Sequence, residues 1–237
     1  MKKMYLRERL RVAIGLSVVL MSASNAAFAQ DRDGAFQDVQ NGIYLGANFA
    51  NISNAETVFG SSTVPNYKAE NRTGFKGGLY FNFHLGGPVS FQPEALYTQN
   101  GVNIKSLTGS NDKVNVQLNY VEIPLLLRYE VGRAHRIHPA LLIGGSGAYR
   151  IKCVLKTTFE GQNEQQECGK LIDRSSDPFK KFDASLIGAG SLETQIAGRP
   201  ISVQLRYTYG LIGIAEHATN SPNVRNRAFG LMVGLAQ

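Results

Sequence analysis

Three features of the sequence predict an all-β fold, an eight-stranded antiparallel up-and-down transmembrane β-barrel. Apolar and polar residues alternate along eight stretches, the connections between stretches are short and long by turns, and aromatic residues gather at both ends of the apolar faces. Composition is compatible with this: 25 of the 237 residues are Gly, and 18% are charged. No window holds the ~18 apolar residues of a membrane-spanning helix. Collagen-like, coiled-coil, disordered and polytopic helical classes are thereby excluded.

The formal charge is +7, but Lys2, Lys3, Arg7, Arg9 and Arg11 against Glu8 account for much of it within the first 29 residues. No basic run follows, so a nucleic-acid partner is not expected. Those residues form a basic region, an apolar stretch from Val12 to Met21, and small residues ending Ala27-Phe28-Ala29. This order of zones predicts a secretory signal peptide over 1–29. Residues 30–41 are polar and unpatterned and read as a flexible lead, leaving 42–237 for the barrel.

The first stretch, Gly42 to Asn51, places Ile43, Leu45, Ala47 and Phe49 on one face and Tyr44, Gly46 and Asn48 on the other. The second, Thr73 to Leu85, sets Phe75, Gly77, Leu79, Phe81, Phe83 and Leu85 against Lys76, Gly78, Tyr80, Asn82 and His84. A helix cannot segregate such a pattern. The period recurs through Val89 to Asn100, Val116 to Glu130, Ile137 to Lys152, Phe182 to Gln195, Ile201 to Leu211 and Arg227 to Ala236. Most of these stretches reach the ~9 to 11 residues that a tilted strand needs to cross a bilayer.

Gly86 to Pro88, Gly132 to Arg136 and Ala197 to Pro200 are short connections. Ile52 to Arg72, Gly101 to Asn115, Cys153 to Lys181 and Ile212 to Asn226 are long. Strict alternation of the two kinds places both chain ends and the short turns in the periplasm, with the long loops extracellular. On the apolar face Phe49, Phe75, Tyr97, Tyr149, Tyr209 and Phe229 fall near the long-loop ends, and Phe83, Phe91 and Tyr129 near the short turns. Leu45, Leu79, Ala95, Leu125 and Ile143 lie between, with Phe81 nearer mid-strand. Two aromatic girdles around an aliphatic band mark a lipid-facing surface, whereas a soluble ligand-binding barrel keeps its apolar face inside.

The polar face then lines a lumen narrow enough for side chains to fill. It carries Lys76, Glu94, Glu122, Arg128, Arg150, Lys152, Asp183, Glu193 and Arg206. Isolated buried charge is costly. A lumen cluster of Glu94, Glu122, Arg206 and Arg128 is therefore expected, with Arg150 or Lys152 approaching Asp183 at the outer mouth.

Three stretches carry a family resemblance: Phe91 to Gly101 (FQPEALYTQNG), Leu118 to Tyr129 (LNYVEIPLLLRY) and Gln204 to Leu211 (QLRYTYGL). They resemble the PorT-like outer-membrane β-barrel proteins of Bacteroidetes. The resemblance implies location and fold: most members of the family have no assigned activity, and the eponymous one assists secretion of other proteins. Contact with outer-membrane lipids and the barrel-assembly machinery is expected, as is a binding, envelope or secretion-accessory role with an extracellular or secretion-system partner. The chain departs from such barrels at Leu235-Ala236-Gln237, where an aromatic terminal residue is usual.

Catalytic signals are weak. His84, His135 and His138 lie at the short-turn end, and His217, near Glu216 and Ser221, is the one external histidine. A lipid hydrolase or acyltransferase is the alternative they leave open. Gly144-Gly145-Ser146-Gly147 lies inside a strand pattern without a following Lys or helix, so it reads as close packing rather than a phosphate loop. Cys153 and Cys168 form an even pair in an exported chain and are expected to staple the third long connection. No catalytic residue, cofactor or metal is assigned. The function expected is that of a non-enzymatic integral outer-membrane barrel acting through its loops.

Overall fold

The computed structural model describes residues 39–53, 67–106, 113–132, 137–159, 162–168, 179–214 and 224–236. The expected signal peptide and nearly all of the expected lead lie outside the described residues. Nine strands follow in chain order: β1 (Val39–Ile52), β2 (Tyr67–Gly86), β3 (Val89–Ser106), β4 (Lys113–Glu130), β5 (Ile137–Phe159), β6 (Gln162–Glu167), β7 (Phe182–Ile196), β8 (Arg199–Gly210) and β9 (Asn226–Ala236). Each strand in the order β4-β3-β2-β1-β9-β8-β7-β5 pairs with its neighbour, and β4 also pairs with β5. Eight antiparallel strands therefore close into a ring, and β6 hangs on β5 outside it.

Alternation decides the faces. In β9 the odd-numbered residues Phe229, Leu231, Val233 and Leu235 are exposed while Ala228, Met232 and Ala236 are buried. In β4, Val121, Ile123, Leu125, Leu127 and Tyr129 are exposed, whereas Glu122 and Arg128 are buried with Leu126. The outside is apolar and the lumen is polar, the inverse of a soluble barrel.

Several boundaries correct the expected ones. β2 starts at Tyr67 rather than Thr73, β3 reaches Ser106 rather than Asn100, β4 starts at Lys113 rather than Val116, and β5 runs to Phe159 rather than Lys152. The residues read as loop there continue the ladder: Ala69 faces Ile104, Val102 faces Val116, and Leu118 faces Cys153. Burial of their inward side chains offsets the cost of ordering the polar ones between them. Val102, Val116 and Leu118 are wholly buried and pack with Ile52, Ile104, Tyr120, Phe179, Ile214 and Val224. An apolar core thus sits inside the extracellular end of the ring.

A β-bulge shapes β5. Asn119 of β4 pairs with Lys152 and Tyr120 with Arg150, so Ile151 is the extra residue. From that point inward positions on β5 change parity. Arg150 points into the barrel, Ile151 and Lys152 are exposed, and Cys153 points inward.

The close approaches and the turns have their own residue requirements. Tyr44 and Tyr80 stack in the lumen with ring centroids 4.3 Å apart. A Cβ at Gly42 would stand 2.6 Å from the Tyr80 ring, and one at Gly234 2.6 Å from Tyr44. The Gly144 segment also reads as packing, because a Cβ there would lie 2.1 Å from the Leu125 carbonyl oxygen across the ladder. The β7–β8 turn has two residues, Ala197 (φ 51°) and Gly198 (φ 76°), between the paired Ile196 and Arg199. Positive φ at both central positions matches the right-handed twist of a tight hairpin.

Candidate functional site

Three groups of ion pairs, each built on a buried cation, occupy the lumen, stepped along the strands from the short-turn end. Nearest that end, Arg128 on β4 donates to Glu193 on β7 and lies 3.5 Å from Glu130. Further up, Arg206 on β8 grips Glu94 on β3 with two parallel bonds of 2.8 and 2.7 Å. Gln204 accepts from Arg206 at 3.0 and 2.6 Å, and Gln92 donates to Glu94 at 2.7 Å. Both side chains of the Arg206–Glu94 pair are fully buried. Above them Lys76 on β2 meets Glu122 on β4 at 3.0 Å, and Thr98 donates to the same carboxylate at 2.9 Å.

The expected four-residue cluster therefore resolves into separate pairs. Arg206 takes Glu94 directly, while Glu122 is held by Lys76. Arg128 belongs to the lower group, because it sits six residues below Glu122 on β4 and faces the lower end of β7. The sequence placed every one of these residues on the inner face. Lys76 and Glu193 were the partners it did not assign, since pairing across a lumen depends on ring closure.

At the outer mouth the expected ion pair is replaced by two other contacts. Asp183 accepts from Asn226 at 2.7 Å, and Arg150 donates to the Phe179 carbonyl at 2.7 Å. The register explains the change: Asp183 lies opposite Ala148, two residues below Arg150. Lys152 is exposed because the bulge at Ile151 turns it out of the lumen.

Cys153 and Cys168 are bonded, with Cα atoms 5.4 Å apart, and both belong to the apolar core of the outer end. The bond joins the end of β6 to the inward face of β5. Beside it, β2 to β6 form an open groove of about 840 Å³, lined by Lys105, Lys113 and Lys156 with Asn103, Asn115 and Gln117 among others. Asn115 on β4 donates to Asn103 on β3, and Asn103 donates to the Asn71 carbonyl on β2 at 3.2 Å, so side-chain amides cross-link β2 to β4 of this wall.

His84 and His138 are half-buried near the short turns, His84 opposite Ser90 and His138 opposite Glu193. His135, His217, Glu216 and Ser221 lie outside the described residues. Among the described residues no group of three or more His, Cys, Asp or Glu side chains could hold a metal ion.

Residues 28–216 match the family described as outer membrane protein beta-barrel domain. The chain belongs to that family. β9, beyond the matched residues, is the strand through which this outer membrane barrel closes, pairing with both β1 and β8. No curated protein matches the chain. Solved structures similar to this barrel include OprG of Pseudomonas aeruginosa, at 13% identity and TM-score 0.42, covering 84% of this chain and 91% of that one. Ail, the attachment invasion locus protein of Yersinia pestis, is 11% identical with TM-score 0.39, covering 84% and 99%. The outer membrane protease OmpT of Escherichia coli is 9% identical with TM-score 0.43, covering 87% and 98%.

The location follows from the family together with the inside-out arrangement. The barrel resides in the outer membrane, with its apolar surface in lipid and its buried charges inside.

Proposed function

We propose that this barrel is a non-enzymatic, plugged outer-membrane protein that works as a docking platform, in a PorT-like envelope or secretion-accessory role. The observation that carries the reading is where the protein spends its order. β2 to β5 continue well past the lipid-facing girdle, β2 to β4 are cross-linked there by side-chain amides, and the wall is braced from inside by the apolar core around Val102, Val116, Leu118 and Phe179. Loops that merely connect strands do not need a packed core, whereas a binding surface gains affinity from being held in shape before its partner arrives. Filling of the lumen by ion pairs and that core supports a structural rather than a conducting role. The PorT-like stretches from Phe91, Leu118 and Gln204 support the secretion-accessory form of the reading. Export of the chain under a signal peptide over 1–29 and contact with the barrel-assembly machinery belong to the same proposal.

A photo-crosslinker introduced at Asn115 or Thr158 on the extended wall, activated in intact cells, tests it. One defined protein adduct absent from a control position on the lipid belt, such as Leu205, is the expected result. Altered lipid A in a deletion strain, restored by the wild-type gene, would overturn the reading in favour of a lipid-modifying enzyme.

A further inference from the structure

The outward face of the extended wall carries an arrangement of charge that strand pairing alone disfavours. Lys68 on β2 is directly opposite Lys105 on β3, and Lys105 is directly opposite Lys113 on β4. One row of the ladder thus places three like charges side by side, each pair destabilising by the usual cross-strand rule. All three are exposed, as is Lys156 on β5, which lies opposite Asn115 one strand over. Their shared face is fixed by the residues between them, since Ala69, Ile104, Val114 and Leu155 pack into the inner core.

Among the described residues the carboxylates beside the row are Glu70 and Glu164, fewer than the lysines. Glu70 takes Lys105 at 2.5 Å. That hydrogen bond, with the charges of Lys105, Lys68 and Lys113, holds the Glu70 carboxyl below the usual carboxylate range. Asp112 and Glu160 fall outside the described residues.

Height selects the ligand. Lys105 lies eight residues beyond Tyr97 on β3, a rise of about 20 Å above the outer aromatic girdle for a strand tilted about 40°. A phospholipid headgroup region extends only roughly 5 to 8 Å beyond the hydrocarbon. A glycolipid with an extended phosphorylated sugar head, its acyl chains against the apolar belt below, would set its anionic groups against this row. The wall is continuous with the lipid-facing surface, and Lys105, Lys113 and Lys156 line one groove on it.

We propose that Lys68, Lys105, Lys113 and Lys156 bind the anionic sugar-phosphate head of an outer-leaflet glycolipid standing beside the barrel. The experiment uses the full chain, refolded in neutral detergent and titrated with purified lipopolysaccharide carrying a phosphorylated inner core. A truncated form ending at lipid A is titrated in parallel. The whole glycolipid should bind more tightly than the truncated one, and K105Q combined with K113Q should weaken it about 25-fold, at about fivefold per lysine. The same variant should keep its heat-modifiable gel migration and the melting behaviour of wild type without glycolipid, because relief of the Lys68, Lys105 and Lys113 opposition offsets loss of the exposed Glu70–Lys105 pair.

Equal affinity of wild type and variant would overturn the proposal, as would equal binding of the two glycolipids. Inorganic polyphosphate binding as tightly as the whole glycolipid would assign the row to a soluble polyanion instead.

Discussion

Arg206 shows how much the lumen asks of one side chain. Its guanidinium is wholly buried, yet Glu94 takes it in a bidentate grip and Gln204 accepts two further bonds. A buried pair of this kind gives little net stability over an apolar substitute, but breaking it leaves an uncompensated charge. Arg206→Met is therefore expected to lower the unfolding free energy in detergent by about 3 to 5 kcal/mol, with the Arg206→Met/Glu94→Gln double variant recovering a good part of the loss. Additive losses in urea titrations would mean that the two side chains do not act as a pair. Sequence alternation was enough to place both on the inner face, because period two needs no knowledge of neighbours. The choice of Glu94 over Glu122 was not legible: it depends on strands β3 and β8, whose separation in sequence is closed only by the ring.

Single elements carry their own tests. The β7–β8 hairpin places Ala197 at φ 51°, a left-handed conformation that costs a residue bearing Cβ about 1 kcal/mol. Ala197→Gly should recover part of that cost and Ala197→Asn a similar part, raising the thermal midpoint, while Ala197→Val should lower it. β5 and β6 form a hairpin whose six ladder pairs run from Val154 opposite Glu167 to Phe159 opposite Gln162. The disulfide closes it with a sequence separation of 15, a loop for which chain-entropy models give roughly 3 kcal/mol. β6 is polar along its whole length and pairs on one side, so the bond should matter to β6 far more than to the ring. After reduction, amides of Gln165 and Gln166 should exchange faster and proteolysis near them should accelerate, while heat-modifiable migration persists. Two free thiols in protein taken from the outer membrane would refute the staple. Extension of β2 to β5 was partly written in the sequence: Val102 and Ile104, and Val114, Val116 and Leu118, keep the period of two. Polar Asn and Lys between them resemble loop composition, and only their pairing partners distinguish a solvent-exposed strand from a connection.

At the scale of the molecule, an apolar exterior and a charged interior make lipid the solvent for one face and protein the solvent for the other. Ile143 is 69% exposed, and a charge there would meet hydrocarbon. Ile143→Arg should cost about 2 to 4 kcal/mol in bilayer refolding, the penalty for a midplane charge. An unchanged refolding free energy would place Ile143 away from the hydrocarbon midplane. The filled lumen leads to another expectation: purified barrel in planar bilayers should show no steady ion conductance, and stable single-channel steps would show that the plug around Phe179 and Ile214 opens.

The sequence by itself determined the strand count of the ring and the inner and outer faces of each strand short of its bulges, and so the membrane. These depend on local period and composition, which the chain carries residue by residue. The expected alternation of short and long connections fails at one place, because β3 and β4 are joined by 107–112, no longer than the 131–136 connection between β4 and β5. Tertiary structure decided which charges meet, because partners such as Lys76 and Glu122 or Arg128 and Glu193 come from strands brought face to face by closure. It also decided the fate of Lys152, since a single bulge at Ile151 reverses the parity that a straight strand would have kept. The apolar core beneath the outer loops was its decision as well: Phe179, Ile214 and Val224 come from segments with no period, and they are buried only because the ring gives them an inside.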